Sequence, residues 1–104
     1  MKIKVLQEMA NVPKEDTNLP YDIWIDSSGF KRNTSHSKPR LKVGKEHIPV
    51  SIENEPRVFG NKSKYDIPKF RLLVKWIRKN LDLLMKHWNR EIDDTQLRNS
   101  IKKI

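Results

Sequence analysis

Residues 66–89 read DIPKFRLLVKWIRKNLDLLMKHWN, and the reading of this stretch decides the fold. Ile67, Phe70, Leu73 or Val74, Ile77, Leu81, Leu84 and Trp88 recur at steps of three and four, the spacing that lines one face of an α-helix. Asp66 suits the N-cap, because its carboxylate can accept from a free N–H of the first turn. Pro68 falls within that first turn, where its missing N–H is no loss. The opposite face carries Lys69, Arg71, Lys75, Arg78, Lys79, Lys86 and Arg90, against the one acid Asp82. The stretch predicts a single long amphipathic helix over residues 66–90. Its apolar face needs a partner, and everything upstream reads as strand and loop. The expected fold class is therefore α+β: a small antiparallel sheet packed against one long C-terminal amphipathic helix, plus a short terminal helix.

Upstream, residues 2–9 begin in alternation, with Ile3 and Val5 opposite Lys2 and Lys4, as in a short edge strand. Residues 11–20 read as a loop bracketed by Pro13 and Pro20. Residues 21–26 (YDIWID) read as a strand with Ile23 and Ile25 on one face. Trp24 then faces solvent or another element. Residues 27–39 (SSGFKRNTSHSKP) have no periodicity and form a long polar loop, with Phe30 as its one large apolar group. Residues 40–52 read as a hairpin turning at Gly44 and Lys45. Leu41 and Val43 share a face in the first strand, and Ile48, Val50 and Ile52 in the second. Pro49 places the return strand at an edge or a bulge. Residues 53–65 form a second loop, with Val58 and Phe59 as a short strand or a core anchor. After the main helix, Asp93, Asp94 or Thr95 can cap a further helix with Leu97, Ile101 and Ile104 at helical spacing. Residues 93–104 are thus a short docked helix or a tail ordered by a partner.

At 104 residues the chain makes one domain with a single modest core. It has no cysteine, which excludes a disulfide framework, a zinc ribbon and a thiol nucleophile. The apolar runs are too short to span a bilayer, and residues 1–9 lack the apolar core of a signal peptide, so a cytoplasmic protein is expected. The net charge of +9 is unevenly placed. Residues 1–26 hold more acids than bases. From residue 27 to 45 stand Lys31, Arg32, Lys38, Arg40, Lys42 and Lys45, with no acid among them. Clustered positive potential attracts polyanions, whereas scattered charge only keeps a small protein soluble.

Three segments resemble the domain-of-unknown-function family 4160, small bacterial and phage-borne proteins often encoded in suspected toxin–antitoxin pairs. They are the aromatic strand ending in a Ser-Gly turn (IWIDSSG), the Pro-led strand (SKPRLKV), and the Leu-Leu-x-x-Trp-Asn helix end, here slightly offset across residues 83–89. The resemblance implies a phage, mobile-element or toxin–antitoxin setting. The family's Pro-led strand typically carries two alternating histidines, and Arg40 and Lys42 stand in their places. Two permanent cations cannot ligate a metal or transfer protons at neutral pH, but they can hold a phosphate or a carboxylate.

The remaining chemistry is sparse. His36, His47 and His87 show no short metal-ligand spacing, and His87 reads as structural or surface. No metal ion and no cofactor is expected. The densest group of phosphate-compatible donors is Lys31, Arg32, Lys38, Arg40, Lys42 and Lys45, with Arg71, Lys75 and Arg78 of the helix as a second group. Trp24, Phe30 or Tyr21 could stack on a base if exposed, although packing in the core is the commoner use of aromatics. The sequence reads as a basic binding module rather than an enzyme, engaging nucleic acid through the loop and hairpin 31–45. One alternative is a protein-binding inhibitor or toxin–antitoxin component on an acidic protein surface. The other is a small metal-independent toxin ribonuclease using His36 or His47.

Overall fold

The computed structural model describes residues 9–26 and 39–104. Within them a four-stranded antiparallel sheet runs in sequence order: β1 Met9–Val12, β2 Ile23–Asp26, β3 Arg40–Val43 and β4 Ile48–Ser51. A single helical turn, α1 Lys14–Thr17, joins the first two strands. The C-terminal half is helical: α2 Phe70–Lys79, α3 Leu81–Trp88 and α4 Asp94–Ser100. The class is α+β, as the sequence predicts.

Side-chain alternation and register together build the core. Ala10, Ile25, Leu41 and Val50 form one inward row across the sheet, and Val12, Ile23, Val43 and Ile48 form the next. All eight are buried and belong to one apolar cluster with Leu73, Trp76, Ile77, Leu84 and Leu97 of the helices. Each fully buried large side chain here contributes roughly 1.5–3 kcal/mol. Pro49 turns its donorless nitrogen away from β3: its carbonyl accepts from Phe59 N at 3.0 Å, and N and O of one residue in an antiparallel strand point the same way. The expected edge position of Pro49 is thus its place in the last strand of this order, which among the described residues is extended by a bridge between Val50 and Val58.

The helical segment differs from expectation at both ends and in the middle. It is not continuous over residues 66–90. Asp66 closes a capping box with Ser63 around a short 3-10 turn, Lys64–Asp66, accepting from Ser63 N at 2.7 Å. Pro68 disfavours helical geometry in the residue before it, and Ile67 is extended at φ −113°, ψ 110°. The helix starts only at Phe70, after Lys69 in the left-handed region. Asn80 then separates α2 from α3 at φ −112°, ψ 18°. Asn80 is 2% exposed, and its side-chain amide is occupied by backbone: Nδ2 donates to Trp76 O, one turn back in α2, and to Lys102 O, both at 3.1 Å, and Oδ1 accepts from Lys102 N at 2.9 Å. Trp76, outside the expected apolar face, is fully buried. At the far end Glu91 N donates to Lys86 O and Arg90 N to His87 O, with Arg90 left-handed, a Schellman stop.

Strand β1 occupies Met9–Val12, overlapping the expected loop, because Ala10 and Val12 reach inward and Pro13 ends the pairing. Of the strand expected over residues 2–9, residues 2–8 lie outside the described residues. The C-terminal residues are docked. Asp93 caps α4 reciprocally with Gln96, and Lys79 Nζ donates to Lys103 O at 2.8 Å. Ile104 N donates to Thr17 O at 3.0 Å, and Asn18 Nδ2 donates to Ile104 O at 3.2 Å.

Candidate polyanion-binding face

The alternation that buries Leu41 and Val43 turns Arg40 and Lys42 to the opposite face of β3, away from the helices. Register extends this outward face into rows. Asn11, Trp24, Lys42 and Pro49 stand side by side across the four strands. The Val50–Val58 bridge adds Phe59 beyond Pro49, fixed by the Phe59 N–Pro49 O bond. In the neighbouring row Arg40 faces Ser51, and Ser51 N donates to Arg57 O at 2.9 Å.

Rings and cations therefore interleave on one surface. The four-residue turn Gly44–His47 needs a left-handed Gly44 (φ 72°), where L side chains are strained, and His47 is left-handed as well. The turn closes with His47 N donating to Gly44 O at 3.0 Å and folds the imidazole against Trp24, ring centroids 4.5 Å apart at 42°. At the other side the Arg40 guanidinium lies 5.5 Å from the centre of the Phe59 ring, a cation–π distance. Trp24, Arg40, Lys42 and Phe59 are half-buried, so their positions are held without being sealed from solvent. Lys45, His47 and Arg57 are exposed.

Of the acids near this face, Glu46 and Glu53 are each engaged by a partner. Glu46 pairs with Lys62 at 3.0 Å, and hydrogen bonding and charge from Glu46 hold the Lys62 ammonium above its usual pKa. Glu53 accepts from Ser51 Oγ at 2.5 Å and lies 3.6 Å from Arg57 Nε. Their charge is partly offset before any ligand arrives, although exposed pairs of this kind are weak.

Of the residues singled out by sequence, Arg40 and Lys42 lie together on the outward sheet face, with Lys45 in the adjoining turn. Arg71, Lys75 and Arg78 are exposed on α2, whose buried Leu73, Trp76 and Ile77 turn them away from the core. The two basic groups thus flank the core on opposite sides. Arg78 is tied by a 2.7 Å bond from Nε to Asn54 O. Lys31, Arg32 and Lys38, with Phe30 and His36, lie outside the described residues. Residue periodicity alone did not single out Phe59 or Arg57; the only signal was the apolar pair Val58-Phe59 in a polar loop.

His87 is part of the scaffold. It is 2% exposed, and its Nε2 donates to Asp94 Oδ1 at 2.7 Å, joining α3 to α4. Among the described residues no helix is long and apolar enough to cross a membrane. No family model, curated protein or solved structure matches this chain.

Proposed function

We propose that the chain is a basic binding module for nucleic acid, engaging phosphates through the outward face of β3 and its turn, with Lys31, Arg32 and Lys38 as neighbours in sequence. The observation that carries this reading is the pairing of Arg40 and Lys42 on the sheet face opposite the helices. Their strand is fixed on both sides by antiparallel partners, so both cations are pre-positioned and lose little freedom on binding. A guanidinium and an ammonium two residues apart on one strand face can both reach the phosphates of one chain. The reading extends to a mobile-element or toxin–antitoxin setting through the family resemblance.

The test compares the two basic faces. Labelled single- and double-stranded DNA and RNA are titrated with wild type, Arg40→Ala/Lys42→Ala and Arg71→Ala/Lys75→Ala. The sheet variant is expected to bind roughly tenfold or more weakly, and the helix variant to stay within about twofold of wild type. Loss in the helix variant alone would place the site on α2. Absence of saturable binding would leave an acidic protein surface as the ligand, sought by copurification at fixed stoichiometry.

A further inference from the structure

The outward sheet face carries more than cations. Trp24 and Phe59 occupy the two flanks of one cross-strand row, with Lys42 and Pro49 between them. Three strand spacings separate them, roughly 14 Å. Both rings are held: Trp24 by His47 at 4.5 Å, Phe59 by the Arg40 guanidinium above it. Both remain partly exposed, while the core is closed by other residues, chiefly Trp76 and the two inward rows. Neither ring belongs to the fully buried set that holds the fold together.

A solubility surface has no use for partly exposed rings between cations. A carboxylate-bearing partner would use Arg40, Lys42 and Arg57 but gain nothing specific from a ring face. In a duplex, each base face is covered by its neighbour, so only the cations would engage. An unpaired strand supplies both groups at once: flat bases for the rings and phosphates for the cations between them.

We infer that this face binds single-stranded nucleic acid, with unpaired bases stacking at Trp24–His47 and at Phe59, and phosphates held by Arg40 and Lys42 between them. This rests on the phosphate-binding reading above. The strand runs across the β-strands rather than along them, because the two stacking positions lie in one cross-strand row. His47 and Arg40 hold the rings in place, and Arg57, beside Ser51 in the adjoining row, extends the cationic track at the β4 edge.

The experiment measures anisotropy and tryptophan emission with oligo-dT, oligo-U, a duplex of equal length and polyglutamate. Wild type is expected to bind the single strands saturably and more tightly than the duplex, with part of the indole emission quenched. Trp24→Leu and Phe59→Leu should each weaken single-strand binding by about 5- to 100-fold while the salt slope stays near wild type. Trp24→Phe keeps a ring, so it should bind nearly as well and lose the quench. If Trp24→Leu does not fold, Phe59→Leu and the wild-type quench decide. A preference for oligo-U or oligo-dT would distinguish RNA from DNA, and either supports the inference. Equal binding of duplex and single strand, unaffected by the ring variants but lost in Arg40→Ala/Lys42→Ala, would overturn stacking and leave phosphate binding standing. Equal competition by polyglutamate, or no saturable binding at all, would overturn both.

Discussion

The side-chain amide of Asn80 pairs with the backbone of Lys102 in both directions, Nδ2 to the carbonyl at 3.1 Å and Oδ1 from the N–H at 2.9 Å. A side chain here does what a neighbouring strand would do. It ends one helix, begins the next and fixes the docked C-terminal residues against both.

Asn80→Ala is therefore expected to destabilise the fold by about 2–4 kcal/mol, since it strips partners from a backbone segment packed against α2. Asn80→Asp keeps the acceptor but sets a carboxylate against the carbonyls of Trp76 and Lys102, and should be no milder. Urea unfolding measures the loss, and amide exchange should quicken first at Lys102 and Ile104. A change below about 0.5 kcal/mol would contradict this role.

His87 and Asp94 make a second long-range tie. A carboxylate only accepts, so Nε2 carries the proton, and Nδ1 is buried without a hydrogen-bond partner. Asp94→Ala leaves the buried donor unpaired and should cost about 1–3 kcal/mol. In a His87→Leu background the same change should cost far less. Additive effects in thermal melts would show that the pair is not the source.

Tyr21 links the sheet to the helical segment, its hydroxyl donating to Pro68 O at 2.9 Å. Burial pushes its pKa from 10.0 up to about 12. The folded state therefore holds the proton more tightly than the unfolded chain. The stabilisation is complete below pH 10 and lost as pH rises toward 12. Tyr21→Phe should cost about 1 kcal/mol at neutral pH, and the gap to wild type should close over that alkaline window. A gap that stays constant with pH would mean the phenol titrates alike in both states.

The sheet was legible in sequence because its cues are local. Alternation in residues 40–52 places Leu41 and Val43 inward and Arg40 and Lys42 outward, and register then carries Trp24 to the same outward face. The helix was legible as a whole but not in its joints. Pro68 acts on Ile67 through a steric effect that outweighs the helical spacing of Ile67 and Phe70. The break at Asn80 depends on Lys102, 22 residues further on, which no periodicity reveals. Phe59 was missed as a site residue for the same reason: its place beside Pro49 comes from a bridge across a loop. The helix cations and the hairpin cations read alike because charge in sequence carries no side, whereas packing turns Arg71 and Lys75 away from Arg40 and Lys42.

The most direct measurement of the central claim is the salt dependence of oligo-dT and oligo-U binding in wild type and Arg40→Ala/Lys42→Ala. Two phosphates released from the protein should lower the slope of log K against log salt by about 1.4, at roughly 0.7 per single-strand phosphate. A parallel line with the same slope would contradict the claim, because the outward face of β3 would then hold no phosphate.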